Sequence, residues 1–288
     1  LLAAIKALRM KQWTKNILVL AAIIFSGQFT NPEEWIKVAF AFAAFCCVSS
    51  AGYIINDIRD READAKHPKK CKRPIASGRL SVGVARIEAV LLGVIGLATA
   101  SLVNPAFVAV LVAYFITTMS YSLYFKDFVI VDVMLIATGF IWRAVAGAVA
   151  ISVQTSEWLL ICTAFLALFL GFNKRRAELT LLQGDAGAHR KNLTQYSPAM
   201  LDQFQGITTS GAIISYALYT VNGPSPALLL TMPYVLFGIF RYIYLVDRQG
   251  AGGAPDETLL RDKPILICCL LYAVTAVAVL SLAADGAF

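Results

Sequence analysis

Apolar runs long enough to cross a bilayer recur along the whole chain, and that recurrence leaves few folds open. A membrane-spanning helix takes roughly 20 predominantly apolar residues. Runs of about that size fall near residues 16–29, 35–56, 84–103, 105–125, 128–150, 157–173, 200–221, 226–246 and 264–284, the first being the shortest. Asn31-Pro32, Asn104-Pro105, Asn222-Gly223-Pro224 and the stretch from Gly250 to Pro255 punctuate them with helix-ending residues. Hydrophobic residues make up 58% of the chain and charged ones 15%, more apolar material than a soluble domain of this length needs. The expectation is an all-α, polytopic membrane protein with nine transmembrane helices. Nothing between the runs suggests a soluble module, so residues 1–288 read as a single transmembrane domain.

Lysine and arginine give the orientation. They concentrate before the first run and in the connections 57–83, 126–127, 174–199 and 247–263. The alternate connections, near 30–34, 104, 151–156 and 222–225, hold none, although Lys37 lies just inside the second run. By the positive-inside rule the amino terminus is cytoplasmic, the carboxy terminus is outside, and the charged loops open to the cytoplasm of a plasma membrane. Leu1 to Lys15, broken by Lys6, Arg9, Lys11 and Lys15, reads as an amphipathic surface helix and not as a cleavable leader. The formal charge of +7 follows from the same topology, so no nucleic-acid partner is expected. The six cysteines show no metal spacing and read as buried, inert thiols.

Charge enters abruptly where the second run ends. Asn56-Asp57-Ile58-Arg59-Asp60-Arg61-Glu62-Ala63-Asp64 places Asp57, Asp60 and Asp64 at i, i+3 and i+7, one face of a continuing helix, with Asn56 in step with Asp60 and Asp64. Three like charges on one face need a cation. Oxygen ligands at a membrane edge suit a hard one such as Mg²⁺, which binds through carboxylates together with substrate phosphates. A solvated helix end is the plainer alternative. Basic residues follow at once, from Lys66 to Arg79. They serve topology and anionic lipid, or clamp phosphate beside the acids; Lys70 and Arg73 are the two assigned to substrate. His67 precedes a proline and is expected to end the helix; a capping or phosphate-donor role and a purely structural one are equal readings.

Further along, Tyr121 and Lys126 close the fourth run, as interfacial anchors or as pocket residues. Arg143 lies deep in the fifth. An intramembrane arginine is costly and faces the bundle interior, either on an acceptor phosphate or against a buried acid. Arg241 poses the same choice nearer the cytoplasmic end. Lys15, Lys174, Arg175 and Glu178 stand at other helix ends on that side.

The pattern Asn-Asp-x-x-Asp-x-x-x-Asp, followed by His-Pro-x-Lys-x-x-Arg-Pro-Ile-Ala-Ser-Gly, resembles the first signature of the UbiA superfamily of intramembrane prenyltransferases. The resemblance implies a UbiA-like bundle with a cytoplasm-facing cavity, and Tyr121 and Lys126 turned toward it. Members that use a prenyl diphosphate carry a second aspartate-rich motif after the sixth helix. Here that place reads Lys174-Arg175-Arg176-x-Glu178, and Glu178 and Asp185 do not repeat the first motif's spacing.

That basic string resembles a branch of the superfamily that moves phosphoribose from 5-phosphoribosyl 1-diphosphate to decaprenyl phosphate, for cell-wall polysaccharide precursors. The strings Arg9-Met10-Lys11-Gln12-Trp13-Thr14-Lys15-Asn16, Arg241-Tyr242 and Gly252 to Asp262 fit it as well. The implied assignment makes Asp57, Asp60 and Asp64 catalytic. These three and Asn56 become the Mg²⁺ ligands. Lys15, Asn56, His67, Lys70, Arg73, Tyr121, Lys126, Arg143, Lys174, Arg175 and Glu178 become substrate contacts. Substitution of Lys174 or Arg175 is expected to weaken binding more than the fold. Two other readings stay open: an ordinary prenyltransferase acting on an aromatic or glycerol-phosphate acceptor, and a non-catalytic transporter, which would predict inverted repeats. Oligomeric state is left open, a homo-oligomer included.

Overall fold

A computed structural model describes residues 2–68, 70–181, 191–249, 251–253 and 255–284, and every regular element among them is helical. Asp185 and Gly250, both singled out in the sequence, lie outside the described residues. The α-helices are α1 (Leu2–Ala7), α2 (Ala21–Phe25), α3 (Pro32–Arg59), α4 (Arg61–Lys66), α5 (Val82–Ser101) and α6 (Pro105–Leu123), then α7 (Val131–Ala150), α8 (Glu157–Leu181), α9 (Pro198–Asn222), α10 (Met232–Gln249), α11 (Pro255–Arg261) and α12 (Lys263–Ala284).

The helix starts follow local chemistry. Asn31 accepts the Glu33 N–H at 3.1 Å ahead of Pro32, and Glu33 and Glu34 fill the first turn of α3. Asn104 repeats the device at α6, accepting from the Phe107 N–H at 2.7 Å. Its amide also donates to the Val149 carbonyl at 2.9 Å, which ties the start of α6 to the end of α7. Packing runs chiefly between α3 and α5, α6 and α7, α7 and α8, and α8 and α9. One core joins Phe45, Phe107, Leu111 and Tyr114 with Val19 and Ala146.

Among the described residues, seven helices are long and apolar enough to cross a membrane: Pro32–Arg59, Val82–Ser101, Pro105–Leu123, Val131–Ala150, Glu157–Thr180, Pro226–Arg248 and Lys263–Ala283. The chain is a multi-pass membrane protein. Two of the nine expected spans are absent from that set. Residues 200–221 do lie in one unbroken helix, α9, but Asp202, Gln203, Gln205 and a run of hydroxyls dilute its hydropathy. Residues 16–29 are broken into a 3₁₀ helix (Met10–Leu20), α2 and a 3₁₀ turn (Gln28–Thr30), with Gly27 in a left-handed conformation at φ 73°.

The long 3₁₀ helix has a packing reason. Three residues per turn stack side chains at i and i+3. Trp13, Asn16 and Val19 therefore share one ridge: Trp13 donates to Ser50 at 3.0 Å, and Asn16 and Val19 are fully buried. The ridge lies directly on α7, where a Cβ on Gly147 would come within 2.2 Å of the Val19 carbonyl oxygen. Backbone cannot yield as a side-chain tip can. Gly147→Ala is expected to lower stability by about 1–3 kcal/mol, read as an earlier thermal transition in detergent. An unchanged transition would contradict so close an approach.

The cysteines correct one expectation. Cys46 and Cys268 are buried, Cys47, Cys71 and Cys162 are partly covered, and Cys269 is exposed. An apolar run buries only the helix face turned into the bundle, and the lipid-facing side needs apolar character equally.

Candidate functional site

The three acids meet two of the predicted basic residues, Arg73 and Lys126, at the end of α3. The helix carrying the acids is not continuous: α3 stops at Arg59 and α4 restarts at Arg61, with Asp60 between them. The backbone keeps register across the break, since the Asp60 N–H reaches the Asn56 carbonyl at 2.9 Å and the Asp64 N–H reaches that of Asp60 at 2.8 Å. Asp57 and Asp64 are buried, each 3% exposed. Beyond α4, His67 takes an extended conformation (φ −83°, ψ 133°) and ends the short helix. Its Nδ1 accepts the Lys70 N–H at 3.3 Å, which is the capping reading of this residue.

Each acid is held by a cation from a different part of the chain. Arg9 and Arg73 both donate to Oδ1 of Asp57, Arg73 at 3.1 Å. The same Nη1 of Arg73 bonds Oδ2 of Asp64, so one nitrogen bridges two carboxylates. Lys126 bonds Oδ1 of Asp60, whose Oδ2 accepts from the Asn56 amide at 3.1 Å. Arg59 donates to the Ser122 carbonyl and locks α3 against the end of α6. Sequence reasoning missed Arg9 as a site residue. Its one signal is the Arg9–Asn16 string, which in sequence reads as a basic surface helix and as part of the family resemblance.

A second group stands at the adjoining ends of α7 and α8. Arg175 is 1% exposed. Its Nε donates to the wholly buried Asp132 at 2.8 Å, and its Nη1 pairs with Glu178. The Tyr196 hydroxyl donates to Asp132 at 2.9 Å and accepts the Ile130 N–H at 2.7 Å. Burial, reinforced by the Asp132 carboxylate, pushes the Tyr196 phenol above its ordinary range, so it remains a neutral donor. This network gives Arg175 a part in holding the fold in addition to the binding role expected of it. Lys174, half-buried, lies within electrostatic reach of Lys15, Tyr121, Arg175 and Glu178. It thereby gathers four other predicted site residues around it.

Arg143 stands apart from both groups. Its donors go to Asn16 Oδ1 at 2.8 Å, the Gly139 carbonyl at 2.8 Å and the Tyr114 hydroxyl at 2.9 Å, with the Tyr114 ring centroid 4.7 Å from its guanidinium carbon. These acceptors are neutral, where the sequence offered a phosphate or a buried acid. Arg143 pins the 3₁₀ ridge to α6 and α7. Arg241 does take an acid: it holds Asp262 at 2.9 Å, and those hydrogen bonds keep the Asp262 carboxyl below the usual carboxylate range.

As the side chains stand, the described residues contain no group of three acidic, histidine or cysteine side chains placed to hold a metal ion. The donor chemistry nevertheless fits a hard divalent cation. Asp57, Asp60 and Asp64 supply carboxylate oxygens and Asn56 an amide oxygen. The Arg73 nitrogen already occupies a cation's place between Asp57 and Asp64.

The fold is a multi-pass helical bundle in which acids and their cationic partners cluster at the end of α3. The chain belongs to the UbiA prenyltransferase family, whose profile matches residues 17–256. It is 38% identical to the decaprenyl-phosphate phosphoribosyltransferase of Corynebacterium glutamicum, over 93% of this chain and 83% of that protein. The same-named protein of Mycobacterium tuberculosis is 34% identical, over 94% and 92% of the respective chains. Among solved structures, a UbiA homologue from Archaeoglobus fulgidus bound to GPP and Mg²⁺ matches with a TM-score of 0.75 at 18% identity, covering 97% of this chain and 99% of that one. The last likeness establishes the fold.

Proposed function

We propose that the chain is a magnesium-dependent transferase. It moves 5-phosphoribose from 5-phosphoribosyl 1-diphosphate onto a long polyprenyl phosphate, decaprenyl phosphate in the first instance, and releases diphosphate. The observation that carries this reading is the near-full-length similarity to two phosphoribosyltransferases. The residues agree with it. An aromatic acceptor asks for little positive charge beyond the metal, whereas a phosphate acceptor asks for more. Lys126, on Asp60, supplies such charge at the acids, and Lys174 and Lys15, within electrostatic reach of each other, add to it.

In this reading Asp57, Asp60, Asp64 and Asn56 would hold a divalent cation, which would supply charge to offset that on a leaving diphosphate. Arg73 and Lys126, freed from part of their pairing, turn to the diphosphate oxygens as charge-assisted donors. The C1–O bond to diphosphate breaks as an anionic oxygen of the lipid phosphate bonds to the electron-poor C1. That oxygen carries its charge at neutral pH, so no general base is required. Lys174 and Lys15 take a remaining phosphate, and Tyr121 orients it. Lys174→Ala is expected to lower kcat/KM by about tenfold or more through KM, with the thermal transition unmoved. Unchanged Michaelis constants for both substrates would remove Lys174 from the site.

Nine crossings, a cytoplasmic amino terminus and a cavity open to the cytoplasm belong to the same proposal. Its supports are the one-sided lysine and arginine and the unbroken length of α9. The direct test is product stoichiometry with purified protein, Mg²⁺ and decaprenyl phosphate. One diphosphate should be released for each lipid that gains phosphoribose, with the 5-phosphate retained. Diphosphate release without a heavier lipid would refute transfer to this acceptor.

A further inference from the structure

Arg9 holds an unusual position for a residue outside the acidic motif. It sits between α1 and the 3₁₀ helix with φ 52° and ψ 47°, a left-handed conformation that a non-glycine residue keeps only where its surroundings hold it. Two contacts fix its side chain. The guanidinium bonds Oδ1 of Asp57, and its carbon lies 5.3 Å from the Tyr53 ring centroid. The turn's backbone is pinned independently: the Ser50 hydroxyl donates to the Leu8 carbonyl at 2.9 Å, the Gln12 N–H to the Arg9 carbonyl at 2.7 Å, and Ala7 is buried beside Ile54 and Ala85. The side chain is 23% exposed, so its guanidinium can leave the carboxylate without moving the chain that carries it.

The two arginines on Asp57 Oδ1 are not equivalent. Arg73 also bonds Asp64, a second acid of the same cluster. Arg9 has Asp57 as its one acidic contact among the described ion pairs. A divalent ion bound at Asp57 would meet two guanidinium groups already on one carboxylate oxygen, and three cations crowded around that oxygen repel one another; Arg9, with no second acid to hold it, is the one that leaves at least cost. We propose that Arg9 is a resident counter-ion: it neutralises Asp57 while the site lacks metal and donor, and it is displaced when a divalent cation binds, so that metal affinity in the absence of donor is held down by Arg9. The displaced guanidinium, anchored at the same turn, then faces the bound diphosphate and becomes a positioning residue for it. This inference rests on the assignment of Asp57 as a metal ligand.

The test measures Mn²⁺ binding to the full chain in detergent, without donor or acceptor, by the loss of the free-ion paramagnetic signal. Wild type, Arg9→Gln, Arg9→Lys and Asp57→Asn are compared. Arg9→Gln is expected to bind Mn²⁺ about tenfold more tightly than wild type. Arg9→Lys, which keeps the charge, should stay within about threefold of wild type, and Asp57→Asn should lose binding. A second readout is the thermal transition: Mn²⁺ should raise it further in Arg9→Gln than in wild type, because no internal cation is displaced. Equal Mn²⁺ affinity in wild type and Arg9→Gln, with Asp57→Asn still deficient, would overturn the counter-ion role and leave the metal assignment intact. No Mn²⁺ binding to any of the four would overturn both together.

Discussion

Asp57→Asn is expected to lower turnover by at least about 100-fold, the scale seen when a group that offsets transition-state charge is removed. The variant should still insert and stay monodisperse in detergent. Asp57 lies 3% exposed on the last turn of α3, where two guanidinium groups converge on one of its oxygens. The amide of asparagine keeps the shape but gives up the charge that would hold a cation against diphosphate. Asp64→Asn should behave alike, since Arg73 joins the two acids. The measurement is single-turnover transfer of label from donor to lipid, with size exclusion as the control for folding. Full activity in both variants would end the assignment of this cluster as the site.

Asp132→Ala is expected to have the largest effect on stability, about 3–5 kcal/mol, the cost of leaving a buried ion without its partner. Asp132 is fully buried, and Arg175 beside it is 1% exposed. The substitution would also strip Tyr196 of its acceptor. Thermal or denaturant unfolding in detergent reads the effect directly. The double variant Asp132→Leu/Arg175→Met should recover most of the loss, because a buried pair replaced by apolar groups of similar volume is close to neutral. A small effect of Asp132→Ala would mean that Glu178 alone suffices for Arg175.

The residues that were legible in advance are those whose sequence pattern and spatial role coincide. Runs of apolar residues announced helices, and Asn31-Pro32 and Asn104-Pro105 marked starts that the structure caps in the expected way. Asp57, Asp60 and Asp64 were legible because three acids at helical spacing end an apolar run. Lys15, Tyr121 and Glu178 all lie within electrostatic reach of Lys174, a nearness that no spacing in the sequence announces. What stayed hidden depends on long-range partners. No local signal says that Arg9 reaches across 48 positions to Asp57, or that Arg143 spends its charge on Asn16 and Tyr114. The buried partner of Arg175 was hidden for the same reason. A charged residue near a helix end looks solvent-facing in sequence, and only packing against α7 reveals Asp132 behind it. The shortest run, 16–29, folds as a 3₁₀ ridge followed by a short α-helix, a change of helix type that its composition does not announce.

The measurement that bears most directly on the central claim offers both donors to one preparation. Purified protein with Mg²⁺ and decaprenyl phosphate receives labelled 5-phosphoribosyl 1-diphosphate. A parallel sample receives labelled prenyl diphosphate with 4-hydroxybenzoate. The expected result is label in the lipid fraction from the ribose donor alone, abolished by chelator and by Asp57→Asn. Label transferred only from the prenyl donor would contradict the account and make the chain an ordinary prenyltransferase of its family.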